Sequence, residues 1–218
     1  MAVHHDPKAA TSSTQAVRLV GEQKGPVNLQ IIRSESDASL ALVQLAVDYS
    51  KAEPPDRAYY ADYCEVLKGR AGYSLFFGKL ITGSSRLRTK VEIAFPEDMF
   101  ARQLWGSSRS LHETAKKVWD KSPLGTVEKL IDTDTVQTFR ANNVMMAMLG
   151  EESLLDFYYI APSEIHFVRL GQRSQVPLEP VVRVTLPSAM VYEFLEKCRV
   201  FAENIPGIDD ILKGGPIE

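Results

Sequence analysis

One pattern is written twice in this chain, and it limits the possible folds more than any other feature: a β-hairpin, a further strand ending at a proline, and a helix after it. In the first copy, residues 59–67 and 73–78 read as two strands joined by the turn that carries Gly69 and Gly72. The polar stretch 82–85 leads to residues 91–95, which alternate apolar and polar as a half-buried strand should. Pro96 then opens a helix, with Glu97 and Asp98 where the helix dipole favours negative charge. Phe100, Leu104, Leu111, Ala115 and Val118 share one face of that helix, and residues 106–108 are a weak point in it.

The second copy repeats the order. Residues 139–149 and 153–160 form the hairpin around the Gly150 turn, and residues 182–186 form the half-buried strand. Pro187 opens the second helix, with Met190, Phe194, Leu195, Cys198 and Phe201 on its apolar side. Between hairpin and strand lies a longer loop, where residues 165–169 alternate like an added strand. Ala61, Asp62, Leu75 and Phe77 match Ala141, Asn142, Leu155 and Phe157 at one constant offset. Val91, Ile93, Pro96, Met99 and Leu104 match Val182, Val184, Pro187, Met190 and Leu195 at a second. The expected fold is α+β: two pseudo-symmetric β-hairpin–strand–helix repeats, with antiparallel sheet and the helices on one face.

This divides the chain into a disordered tail at 1–25, an N-terminal strand/helix segment at 26–56, repeat 1 at 57–119, a linker at 120–136, repeat 2 at 137–205 and a C-terminal tail at 206–218. Residues 1–25 hold too few apolar side chains to order themselves. Residues 27–32 read as a strand. Residues 40–49 fit a helix through Leu40, Val43 and Val47, capped by Ser36 or Asp37. They also fit a strand through Leu40, Leu42, Gln44 and Ala46. Net charge is −3, so no global field draws the chain to nucleic acid or an anionic membrane. The longest apolar runs fall far short of the roughly 20 residues of a membrane span, and the N-terminus lacks the apolar core of a signal peptide. Cys64 and Cys198 make no disulfide framework. A reducing cytoplasm is the expected location, with both cysteines as small buried hydrophobes.

Each copy resembles a bacterial and archaeal family of small proteins of unknown function. The family shows a Tyr-Ala-Asn start, a later Leu-Asp-Phe-Gly, and an apolar strand running into a proline-started helix. The matching residues are Tyr60, Ala61, Asp62, Leu75, Phe77, Gly78 and Pro96 in copy one, and Ala141, Asn142, Leu155, Asp156, Phe157 and Pro187 in copy two. The chain departs from the pattern at Phe76, Arg140 and Tyr158. The resemblance covers residues 57–205 and brings no catalytic residues with it.

The residues offer no catalytic machinery. His4, His5, His112 and His166 show no metal-binding spacing, and neither cysteine lies near them in sequence. The run from Gly72 to Lys79 suggests a phosphate loop and fails as one. Five residues separate its glycines, and Leu80 stands where a magnesium-binding hydroxyl belongs. Asp132 with Asp134, and Asp209 with Asp210, read as solvated loop charges. No catalytic residue, metal or cofactor is expected.

Two candidate surfaces remain. Arg70, Lys79, Arg86, Arg88 and Lys90 form a basic cluster beside Tyr73, Phe76 and Phe77, a composition that can hold single-stranded nucleic acid. The more informative stretch is 144–149. As a strand it is apolar on both faces: Val144, Met146 and Met148 on one, Met145, Ala147 and Leu149 on the other. Something must cover its second face: residues 40–49, the other copy or another chain. Methionines adapt to varied partners. The expected function is therefore a non-enzymatic protein-binding or assembly module with a protein partner or as a homo-oligomer, acting through an apolar sheet face or edge. The alternatives are a chaperone-like client binder, loosely similar in layout to the bacterial export chaperone SecB, and a single-stranded nucleic-acid binder through the basic cluster.

Overall fold

The fold begins with β-branched strands. A computed structural model describes residues 16–19, 25–33, 41–81, 86–120, 130–132, 136–206 and 208. Strands β1 (Ala16–Leu19), β2 (Val27–Arg33) and β3 (Ala41–Val47) form an antiparallel sheet in that order. Ala41–Val47 is thus a strand. Its ladder with β2 sets Leu29 opposite Leu45 and Ile31 opposite Val43, so the alternating pattern of this segment, and not the helical one, is the one the fold uses. The strand Ala16–Leu19 falls inside the stretch read as a disordered tail. Ser36 and Asp37, the suggested helix caps, lie outside the described residues, as do His4, His5, Asp134, Asp209 and Asp210.

The first unit comprises β4 (Ala58–Tyr60), β5 (Tyr63–Lys68), β6 (Tyr73–Leu80) and β7 (Arg86–Phe95). A long helix follows: α1 (Glu97–Met99), a π-helical segment (Phe100–Gly106) and α2 (Ser107–Trp119). Then comes β8 (Leu130–Asp132), within the expected linker. The second unit holds β9 (Gln137–Arg140), β10 (Asn143–Leu149), β11 (Glu152–Tyr159), α3 (Pro162–Arg169), β12 (Glu179–Pro187) and α4 (Ser188–Glu203). The chain is α+β, with antiparallel hairpins joined by parallel pairs of β7 with β8, β7 with β9 and β12 with β4.

The ladders of the two units run in the same register. Adding 80 to both members of the Tyr63–Gly78 pair gives the Asn143–Tyr158 pair. Tyr73 faces Phe95, and Ser153 faces Leu186, steps of 80 and 91. Each ladder slips at the matching place, between Phe77 and Gly78 and between Phe157 and Tyr158. The lead-in strands trade units. β4 precedes the first hairpin but pairs with β12, and β9 precedes the second but pairs with β7. The hairpin strands expected to begin at residues 59 and 139 are therefore each cut in two. At both cuts a buried alanine bonds across the units: the Ala61 N–H donates to the Thr185 carbonyl at 2.9 Å, and the Ala141 N–H to the Ala94 carbonyl at 3.1 Å.

The residues of the recurring motif are occupied with this construction. The Asp62 carboxylate accepts from the Leu80 N–H at 2.8 Å, and the Asn142 amide oxygen from the Ile160 N–H at 2.8 Å. Phe77 and Phe157 meet at 5.9 Å between centroids where the inner sheet faces converge, and Phe77 also packs on Phe194 of α4. Burying each such ring contributes roughly 1.5–3 kcal/mol. Gly78 has no room for a Cβ, which would collide with the Arg88 carbonyl oxygen. Gly72 turns with a positive φ against the Phe95 carbonyl. These two glycines serve the strands and not a phosphate. Pro96 and Pro187 stand at the caps of the helices that follow.

Two elements differ from the sequence reading. Residues 165–169 belong to a helix, because Pro162 fits its first turn, Glu164 suits its dipole, and Ile165 and Val168 turn to one side. The first long helix is not uniform: its π segment buries adjacent residues, Phe100 with Ala101 and Leu104 with Trp105, before α2 resumes. The main core lies between the inner sheet faces and the helices. A second cluster covers the outer face of β10 and β11, built by Val27, Tyr158, Ile160, Val168, Val176 and Leu178, with Val47, Tyr49 and Met145 against it.

Candidate functional site

A β-sheet edge is a row of unpaired peptide groups, and this fold has two comparable ones. β5 begins one sheet order and β10 the other. The 80-residue step carries Cys64 to Val144, Glu65 to Met145 and Val66 to Met146.

Charged side chains engage peptide groups of the β5 edge. The Lys197 ammonium of α4 donates to the Cys64 carbonyl at 2.9 Å and to the Glu65 carboxylate at 3.1 Å, and pairs with Glu193 at 3.0 Å. The Val66 N–H donates to the other Glu65 oxygen at 3.1 Å. The Tyr63 hydroxyl donates to Glu65 at 2.6 Å, and Lys197 stands over the Tyr63 ring. Burial opposes the Lys197 charge, but the negative potential of Cys64, Glu193 and Glu65 outweighs it, and the pKa rises. Burial likewise pushes Glu65 up, and its bonds from Tyr63 and Lys197 more than reverse this, holding it below the usual carboxylate range. Burial and the Glu65 charge push the Tyr63 hydroxyl up.

The β10 edge lacks all of these charges. Met145 replaces Glu65, and the 91-residue step carries Lys197 to Gly106. The Tyr49 hydroxyl reaches the edge, donating to the Val144 carbonyl at 3.1 Å. Tyr49 packs on Tyr158 at 5.6 Å, and burial pushes its hydroxyl pKa up. The groups that Cys64, Val66 and Val144 turn to their caps define the outward set, so the peptide groups of Met146 and Met148 face outward too. Among the described residues nothing bonds them there. No residue from Asn143 to Leu149 is charged.

The five residues singled out in this strand divide accordingly. Val144 is buried in the main core, where Met146 and Met148 pack half-buried, and the Ser108 hydroxyl lies 3.5 Å from the Met146 sulfur. Met145 packs on the second cluster, beside Val47 and Tyr49. Both faces of the strand are therefore covered by this chain, the second partly by residues of the 40–49 segment. Leu149 remains, 61% exposed. The available surface is the edge and Leu149, not a broad apolar face. Sequence reasoning missed Tyr49 and Lys197, since each acts across more than 90 residues, and only a lone lysine near the apolar side of α4 hinted at the second.

Four of the five basic residues lie together on the β6–β7 ladder, and Arg70 lies apart from them. Lys79 and Arg88 lie opposite each other on β6 and β7, Arg86 is two residues along, and Lys90 sits where the ladder slips. Arg70 lies in the turn at the far end of β6. Lys79 stands 5.1 Å over the Tyr60 ring. Tyr73, stacked on Phe100 at 4.0 Å, and Phe77 are buried, so neither offers a face to a base, and Phe76 is half-buried.

Other reactive groups have structural partners. His112 ties α2 to α4: its Nε2 lies 2.9 Å from a Glu196 oxygen, and its ring packs between Trp105 and Tyr192. The Arg199 guanidinium holds the Glu196 carboxyl below the usual range against burial, and His112 adds to this. Cys64 and Cys198 are buried, and burial pushes the Cys198 thiol well up, away from nucleophilic chemistry. Among the described residues no three His, Cys, Asp or Glu side chains are grouped to hold a metal ion, and no helix is long and apolar enough to cross a membrane. Comparison of the chain with protein-family models, with curated proteins and with solved structures finds no match.

Proposed function

We propose that this protein is a non-enzymatic binding and assembly module that takes up a partner strand along the edge of β10. One observation carries the reading: of two edges in matching register, β5 has its Cys64 carbonyl and Val66 N–H taken by Lys197 and Glu65, while among the described residues nothing bonds the outward peptide groups of Met146 and Met148 on β10, a strand with no charged residue. Proteins commonly protect an edge with lysine or an inward charge, and an uncharged seven-residue edge favours strand addition. Main-chain bonds from Met146 and Met148 would supply affinity, and Leu149 an apolar contact. The matched ladders support reading the chain as one unit written twice, akin to the small proteins it resembles, with one copy keeping its edge closed and the other open.

The test is an edge block. Met148→Pro removes an outward N–H and leaves the ladder to β11 in place. Leu149→Lys adds a charge at an exposed position. Partners held by the full chain, identified by mass spectrometry from the native cell extract, should be lost with both variants while the circular dichroism spectrum is unchanged. Partners that survive both substitutions would rule out the edge.

A further inference from the structure

We infer that the occupant of the β10 edge is a second copy of this chain, its β10 paired antiparallel to the first about a twofold axis at Ala147. The inference rests on the edge reading above and names its partner.

Three observations select this occupant. First, the strand from Asn143 to Leu149 carries no charge, so two copies meet with no like charges opposed, whereas β5 would set Glu65 and Lys68 into such an interface. Second, the ends complement each other. Exposed Arg140 precedes β10, and exposed Glu151 and Glu152 follow it. Antiparallel pairing brings the basic end of each copy toward the acidic turn of the other, twice by symmetry. Third, one register keeps the Tyr49 bond to Val144. With Ala147 on the axis, Met146 of one copy faces Met148 of the other. The outward N–H and C=O groups of both methionines then close four main-chain hydrogen bonds without disturbing the bond at Val144. In that register Leu149 gains a cross-strand neighbour in the second copy's Met145, which accounts for the most exposed large apolar side chain among the described residues. A two-strand contact closes the edge and yields a closed dimer.

The experiment uses the full chain carrying Ala147→Cys, treated with diamide as the two-electron oxidant. Facing residues at a non-hydrogen-bonded antiparallel pair lie near enough for a disulfide. Cys64 and Cys198 are fully buried and do not compete. The expected product is a disulfide-linked dimer, while Leu67→Cys, at the matching and 45% exposed position of β5, stays monomeric. Sedimentation should show the unmodified chain dimerising with concentration, and Met148→Pro, which deletes two of the four bonds, should raise the dissociation constant about tenfold or more. A chain that stays monomeric, with no Ala147→Cys dimer and a fast-exchanging Met146 amide, would overturn the second copy as occupant and leave the edge open to another strand. A monomer whose Met146 amide is protected would sink the edge reading as well.

Discussion

β5 and β10 occupy matching places in their hairpins and are finished in opposite ways. On β5, Lys197 spans from α4 to the Cys64 carbonyl while Glu65 takes the Val66 N–H. On β10, Met145 stands at the ladder position that Glu65 holds on β5, and Tyr49 contributes one bond from outside the unit. The two hairpins pair in the same register, and the side chains set along their edges differ. A bare edge is a hazard that a protein closes when nothing is meant to bind there. Among the described residues the charged pairing at the β5 edge has no counterpart on β10, and the proposed strand uptake rests on that contrast.

The outer faces of the two sheets differ as well, and here substitution should have its largest effect. Asp156, 1% exposed, receives a bidentate bond from Arg183 at 2.6 Å on the face that holds the second cluster. The matching positions in the first unit are Phe76 and Glu92. Glu92 accepts from Ser74 at 2.8 Å and from Thr138 at 3.0 Å near solvent. Arg183→Met should strand a buried carboxylate and cost about 3 kcal/mol. Glu92→Gln should cost under about 1 kcal/mol. Urea unfolding of both variants checks the contrast, and equal losses would break it.

Next in size is the ladder slip. Gly78 sits against the Arg88 carbonyl with no space for a Cβ, while the matching Tyr158 faces Pro180. Gly78→Ala should cost about 2 kcal/mol through backbone displacement, and Tyr158→Phe, which keeps the ring in its cluster, well under about 1 kcal/mol. The motif positions Asp62 and Asn142 divide similarly. Asn142 is buried, exchanges two bonds with Ile160 and receives one from Asn143. Asp62 makes one such bond at an exposed site. Asn142→Ala should therefore cost about 2 kcal/mol and Asp62→Ala about 1 kcal/mol, read from the same unfolding midpoints.

These comparisons show what the sequence made legible. Pro96 and Pro187, Phe77 and Phe157, and the alternation of 91–95 and 182–186 are local signals, and each stands where the pattern put it. The trade of β4 and β9 between units was not readable, because strand partners are chosen by non-local packing. Nothing in Ala58–Tyr60 distinguishes its own hairpin from β12. The helix at Pro162–Arg169 was hidden by a short stretch whose apolar residues fit both periods, though Pro162 and Glu164 carried its start signal. The site was visible only as composition. Residues 144–149 announced an apolar strand, but the filling of its faces depends on Tyr49 and Ser108, which lie far away in the chain.

The smallest expected effect concerns how the closed edge responds to acid. Glu65 has a folded pKa held below its ordinary 4.5 by Tyr63 and Lys197. A carboxylate with a depressed folded pKa contributes stability that is present above the unfolded value and lost as pH falls through the folded one. Unfolding midpoints measured from pH 6 downward should therefore decline below about pH 4.5 more steeply in the native chain than in Glu65→Gln. The β10 edge has Met145 at the matching position and supplies no such component, so Met145→Gln should leave the slope as it is. If Glu65→Gln and the native chain trace parallel curves, the Lys197–Glu65 closure is a surface pairing of little weight, and the two edges are less different than their bonds suggest.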